Sequence, residues 1–356
     1  MRKAAIALTV GAVACGAAAS YIRFVMIPDA EQVRSDTHTV NRYAGTASFL
    51  DNQAIAAGDF PHAFQKDVPF TAVEDFKTAS LHDGTAVITD ATTVSGPAAP
   101  ALSNTTVNWA VDRKTLLPAA APAGSDAVDH KGLAVGFPFD PGAHDYPWWD
   151  VGSGKQATAK YVRTEKHMGR TAYVYTVDAS GTLADKTILA KVPPSIQADV
   201  LKGLAASVVP DQASTLALLL PKNGGEVPLA YASTTKTTLW VDKFDGTTLD
   251  VDVQQTVMAQ LKSALGMVPL APVLDVHTKY SPQGVAESVQ QSKDNQSQML
   301  WEGEVAPGAL AALALVLLIG AVVVWRRGGA AAAPTGDSAA GETAAEDEPS
   351  PDETTA

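Results

Sequence analysis

The residues best placed to do chemistry lie in one stretch, Gly132-Leu-Ala-Val-Gly-Phe137-Pro-Phe139-Asp140-Pro-Gly-Ala-His144-Asp145-Tyr146-Pro-Trp148-Trp149-Asp150. Aromatic side chains make up only 6% of the chain, so five of them together must either plug a core or clamp an apolar ligand. Both readings fit the pattern. The second makes Phe137, Phe139, Tyr146, Trp148 and Trp149 the ligand-binding residues.

Other chemistry fails on spacing. Gly152-Ser-Gly-Lys155-Gln156 ends like a phosphate loop, but Trp149 stands where the first Gly belongs and Gln156 where Ser or Thr would bind the metal. The chain has no HExxH or GxSxG. Its seven histidines are scattered without metal-ligand spacing. Cys15 is the single cysteine, which removes any intramolecular disulfide, cysteine zinc cluster or CxxC pair. The expectation is a protein without catalytic residues, cofactor or metal. With 26 basic against 38 acidic side chains and a net charge of −12, it has no basic surface for nucleic acid.

These aromatics must be positioned by a chain with an unusual distribution of charge. Only 18% of residues are charged, against about 25% in an ordinary soluble domain, and the deficit is concentrated at two places. Arg2 and Lys3 precede an apolar run from Ala4 to Ile27; Val305 to Trp325 carries no charge and is followed by Arg326 and Arg327. Each is long enough to cross a bilayer, and the basic residues lie at opposite ends of the two runs. The pattern predicts residues 1–27 as an N-terminal transmembrane helix, 28–304 as an exported domain and 305–325 as a C-terminal transmembrane helix. Residues 326–356, rich in Ala, Pro and acid, read as a disordered acidic cytoplasmic tail. Both termini are then cytoplasmic and the main domain is outside the plasma membrane. A cleaved signal peptide ending at Ala17-Ala18-Ala19, and a lipobox-like Ala12-Val13-Ala14-Cys15, compete at the N-terminus, but the apolar run continues past both. Small residues four apart, Ala7 and Gly11, Ala12 and Gly16, Gly308 and Ala312, could let helices pair closely.

The middle of the chain reads as α+β, a large antiparallel β-rich domain with a few helices. Thr85 to Asp90, Thr105 to Val111, Ala159 to Thr164, Thr171 to Val177 and Thr237 to Val241 are β-branched and aromatic runs bounded by turn residues. Helices are expected over Pro194 to Ser207, Gln255 to Leu265 and Pro282 to about Met299. A strand ending in Val-Asp before a turn recurs at Asp112, Asp178 and Asp242, as hairpins of one meandering sheet would show.

The segments WAVDRKT, GLAVGFPFDPGAHDYPWWD, RTAYVY and LWVDKFDGT, set between two apolar spans, resemble the porin PorA family, an actinobacterial envelope family of unknown function. The resemblance implies two-span proteins with a large exported domain, among whose mycobacterial members are proteins that control lipomannan and lipoarabinomannan assembly. It carries no catalytic motif. The expected function is therefore a non-enzymatic cell-envelope membrane protein that binds or presents a lipid or glycolipid in lipoglycan assembly. Leu204-Ala-Ala-Ser-Val-Val-Pro, Leu216-Ala-Leu-Leu-Leu-Pro221 and Met267-Val-Pro-Leu-Ala-Pro-Val-Leu274 are further apolar candidates for lining a lipid cavity. A scaffold for envelope-synthesis proteins, and an oligomeric channel, are the alternatives.

Overall fold

The computed structural model describes residues 2–97, 99–208, 225–263 and 266–329. The apolar stretch at Leu216, and the tail beyond Gly329, lie outside them. The chain forms two compact units, one comprising the chain up to Ser20 together with the chain from Pro307 onward, the other Tyr21–Ala306.

In the first unit, helix α1 (Arg2–Tyr21) pairs with the C-terminal helix Ala306–Gly329. Gly11 faces Leu317 and Gly320 faces Leu8, so the two helices run antiparallel. Buried Ala5 and Ala12 on one helix, and Ala314 and Ala321 on the other, are seven residues apart. Half-buried Leu8, Cys15 and Ala19, with Leu310, Leu317 and Val324, complete the two heptad seams. Of the small residues spaced four apart, Gly11, Ala12 and Gly16 lie on the seam side, whereas Ala7, Gly308 and Ala312 face outward. The period is seven because antiparallel helices meet along a continuous a/d seam, and alanine at positions 5, 12, 314 and 321 keeps the backbones close. Ile6, Val10, Val13, Leu315, Val316 and Ile319 remain exposed, as lipid-facing side chains of candidate membrane spans would be.

The second unit is built on one antiparallel half-barrel sheet. Its strands are β1 (His38–Leu50), β2 (Phe64–His82), β3 (Thr85–Gly96), β4 (Ala99–Asp112), β5 (Tyr146–Asp150), β6 (Lys155–His167), β7 (Arg170–Thr182), β8 (Ser195–Gln197), β9 (Glu226–Asp242), β10 (Thr248–Ser263) and β11 (Gly266–Tyr280). The order is β4-β3-β2-β1-β11-β10-β9-β7-β6-β5, with β8 paired to β9. The first and last strands, β1 and β11, lie side by side at its centre, Tyr43 opposite Tyr280. Helices α2 (Ala198–Val208), α3 (Pro282–Leu300) and α4 (Ala306–Gly329) follow in the chain. α3 is capped by the Ser281 hydroxyl, which accepts from the Gly284 amide at 3.0 Å. Single π-helical turns, Ile22–Met26 and Trp301–Val305, lie against each other and form a neck.

All five strand segments read from the sequence fall in strands. The helix expected at Gln255 to Leu265 does not form: these residues belong mostly to β10, whose Val257, Ala259 and Leu261 enter the core. Gln, Met, Ala and Leu favour a helix locally, but pairing with both β9 and β11 overrides that preference. The helix expected from Pro194 begins only at Ala198, because Ser195–Gln197 is held as a strand on β9. Asp112 and Asp242 do end strands at turns, Asp112 accepting from the Thr115 amide at 2.7 Å and Asp242 from the Phe244 amide at 2.7 Å. Asp178 is the exception and pairs inside β7 with Lys236.

Candidate functional site

The sheet buries part of one face under α3, where Ala172, Leu249 and Val289 cluster, and far more of the other. Tyr173, Tyr175 and Val177 of β7, Leu239 and Val241 of β9, and Val251 of β10 point to it, and the long connection between β4 and β5, residues 113–145, packs its Leu133 and Phe137 against them. That connection also covers both edge strands. Along β4 the Ala119 amide donates to Ala110 at 2.9 Å and the Val128 amide to Asn108 at 2.8 Å; along β5 the Leu133 amide donates to Pro147 at 2.8 Å, while Trp149 donates to Leu133 at 3.0 Å. Exposed strand edges invite pairing with other chains, and here the protein pairs them with itself. Gly132 makes the second contact possible: it has a φ of +133°, and a Cβ would collide with the backbone of Pro147 and Trp148.

The five aromatics of the sequence motif separate into different environments. Phe137 is buried and stacks on Tyr175 with ring centroids 4.6 Å apart. Tyr146 is also buried, edge-on to Phe137 at 5.4 Å, and its hydroxyl accepts from the Gly142 amide at 3.2 Å. Burial raises the Tyr146 pKa. Trp148 and Trp149 are half-buried in strand β5, Trp148 beside Phe137 and Trp149 against the Ala86, Ile88 and Trp109 cluster.

Phe139 lies elsewhere. It meets Phe244 of the β9–β10 turn edge-on at 5.3 Å, and with Glu31, Lys114, Asp140 and Phe244 it lines a cleft of about 470 Å³. The two loops are locked together. The Asp140 amide donates to the Phe244 carbonyl at 3.2 Å, and Gly246, at φ +75°, packs so closely on Pro138 that no side chain would fit. Asp140 itself has a φ of +49°, an uncommon conformation for a residue other than glycine. Sequence reading missed Glu31, Lys114 and Phe244 as partners of Phe139. Phe244 was visible in the LWVDKFDGT segment, but nothing in the sequence tied it to residue 139. Among the described residues no group of His, Cys, Asp and Glu could hold a metal.

A second polar cluster has no sequence signature. Glu74 of β2 accepts from the Tyr43 hydroxyl at 2.6 Å and from the Asn41 side chain at 3.0 Å, while Asp90 of β3 accepts from the Trp109 indole at 3.4 Å. Burial, and then the charge of Asp90, lift Glu74 from the usual carboxylate range to about 7; burial also lifts Asp90. An unfolded chain ionises Glu74 near its ordinary value, so the folded state holds a proton the unfolded state has lost. The stability due to Glu74 is therefore fully present below about pH 4.5 and disappears as pH rises to about 7. We expect melting temperature to fall between pH 5 and pH 8, and to fall distinctly less in Glu74→Gln. Equal pH slopes in the two proteins would show that Glu74 ionises normally.

On its other face the sheet presents Thr176, Asp178, Lys236, Thr238, Asp252 and Gln254 around a shallow polar depression of about 320 Å³. His277 and Lys279 pair with Asp252 at 3.0 and 2.8 Å beside it. A lipid-embedded barrel needs an apolar outer band, and this sheet has the reverse polarity, with apolar residues on its packed face.

The porin PorA family model matches residues 4–323. The chain belongs to the porin PorA family. Together with its two candidate membrane helices, that makes this PorA-family chain a membrane protein. No curated protein matches it. Solved structures similar to it include a mutant of Rh. blastica porin, 9% identical over 68% of this chain and 99% of that one, with a TM-score of 0.17. A hot-dog-fold protein of unknown function from Alicyclobacillus acidocaldarius is 12% identical over 72% and 83% of the two chains, with a TM-score of 0.12. The acyl-CoA thioesterase II TesB2 of Mycobacterium marinum is 11% identical over 69% and 82%, also with a TM-score of 0.12.

Proposed function

We propose that this PorA-family chain is a non-enzymatic, two-span protein of the cell envelope. Its termini are cytoplasmic, and its extracytoplasmic domain holds or presents an amphiphile, a lipid or glycolipid, in lipoglycan assembly. The observation that carries the ligand reading is the Phe139–Phe244 cleft: two aromatic rings on interlocked loops, open to a volume within the range of small-molecule sites, roughly 300–1,000 Å³. The site proposed from the sequence thereby narrows. Phe139 is its contact residue, and Phe137, Tyr146, Trp148 and Trp149 support the loop from within and beside the sheet.

Orientation rests on Arg2 and Lys3 at one end and Arg326 and Arg327 at the other. A scaffold role for envelope-synthesis proteins is the second reading. It is favoured by the packed face of the sheet, which is filled by the protein's own side chains rather than by a cavity. The channel reading draws on the family description alone, and the polar outer face of the sheet opposes it.

The test is extraction of the full chain, purified in detergent, with organic solvent followed by lipid mass spectrometry. Wild-type protein should carry a stoichiometric lipid, and the Phe139→Ala, Phe244→Ala double variant should lose most of it. Protein that carries none, or a variant that retains all of it, would put the scaffold reading in front.

A further inference from the structure

We infer that the cleft takes the zwitterionic head group of a phosphoethanolamine lipid, its ammonium between Glu31 and Asp140, its phosphate at Lys114 and its first apolar carbons on Phe139 and Phe244. The inference rests on the amphiphile reading above and names the chemistry of its ligand.

Charged side chains without ion-pair partners line this cleft. Around this end of the domain most ionic groups have partners. Asp29 pairs with Arg113 at 3.3 Å, and buried Asp242 pairs with Arg170 at 2.7 Å. Asp245 accepts from Asn295 at 2.8 Å and from the Thr247 hydroxyl at 2.8 Å, and Asp112 spends its carboxylate on its own turn. Glu31, Asp140 and Lys114 differ: among the described residues none of the three side chains has an ion pair or side-chain hydrogen bond, and all three line the cleft.

Two carboxylates and one ammonium around an aromatic pair complement a ligand that carries a cation and an anion a few bonds apart and continues into hydrocarbon. The aromatic faces add a cation–π attraction for an ammonium that reaches them. An anionic lipid without the ammonium brings no positive charge to the two acids and adds its own negative one. A lipid is the occupant we infer because Glu31 follows the candidate membrane span Lys3–Ala30 directly in the chain. Glu31 follows directly on the helical residues Ile27–Ala30 that leave the neck, and Arg113, next to Lys114, is bonded to Val33 and Asp29 of the same segment. Asp140 lines the cleft from a backbone held in an uncommon conformation between Phe139 and Pro141.

The experiment measures binding to the full chain in detergent micelles of three probes: dihexanoyl phosphatidylethanolamine, dihexanoyl phosphatidylglycerol and free O-phosphoethanolamine. We expect the ethanolamine lipid to bind about tenfold more tightly than the glycerol lipid, a difference of about 1.4 kcal/mol, and more tightly than the chain-free head group. The Glu31→Gln, Asp140→Asn double variant should abolish the preference between the two lipids. Phe139→Ala should weaken both lipids alike. Equal or tighter binding of the glycerol lipid by wild-type protein, or a preference that survives the double variant, overturns the head-group inference; if Phe139→Ala still weakens both lipids, the amphiphile reading stands. Chain-free phosphoethanolamine binding as tightly as its lipid overturns the lipid as occupant. If neither lipid binds, or if Phe139→Ala changes neither affinity, both readings fall. Matching circular dichroism and melting curves for each variant exclude misfolding as the cause.

Discussion

Arg170→Met should lower the stability of the sheet domain by about 3–5 kcal/mol, the usual cost of leaving one partner of a buried ion pair alone. Asp242 closes β9 with its side chain only 2% exposed, and Arg170, 11% exposed, donates to it at 2.7 Å. The same guanidinium donates to Gln296 of α3 at 2.6 Å, so one side chain joins β7, the β9–β10 turn and the helix that leads into the neck. In thermal unfolding of the full chain in detergent the loss should read as a drop on the order of 10 °C. Replacing both partners, Arg170→Met with Asp242→Leu, should recover much of it, because the uncompensated charge is then gone. A single variant that melts like wild type would show that Asp242 is hydrated in the folded protein.

Phe137→Ala should cost about 3–5 kcal/mol as well, by loss of transfer free energy and creation of a cavity. Phe137 is 4% exposed and lies within stacking or edge contact of Tyr175, Tyr146 and Trp148. Phe139→Ala, at the cleft, should cost less than Phe137→Ala, since Phe139 is only partly buried and its loss leaves a smaller cavity. The two variants separate the roles that a single aromatic motif combined. Denaturant titration followed by tryptophan fluorescence reads both, because Trp148 lies 5.9 Å from Phe137 and reports on the same cluster. A Phe137→Ala protein as stable as Phe139→Ala would mean that the loop is not part of the folding core.

Stability and the proposed binding thus draw on neighbouring residues of one loop for different reasons. Residues 117–128 and Leu133 pair with the exposed edges of β4 and β5, Phe137 fills the packed face, and Phe139 is left over to meet the second loop. Asp140, which lines the cleft, and Gly246, packed on Pro138, both have left-handed backbone, a conformation that surrounding packing must hold.

Hydropathy and local propensity, both properties of short windows, were sufficient for part of this account. The apolar runs at each end, the β-rich middle, the turns after Asp112 and Asp242 and the helix beginning at Pro282 are all legible in the sequence, because each is decided by free energies among residues within a few positions of one another. What required the tertiary structure involves partners far apart in the chain. Gln255 to Ser263 became strand because two neighbours were already strands. The terminal helices meet every seven residues because the seam has to follow a partner about 300 residues away. The cleft gathers Glu31, Lys114, Phe139, Asp140 and Phe244 from four separate segments. A sequence states how apolar Phe137 and Phe139 are, and in this it cannot tell them apart; only packing decided that one would be buried against Tyr175 and the other left facing Phe244, since burial belongs to the space between elements and not to the residue.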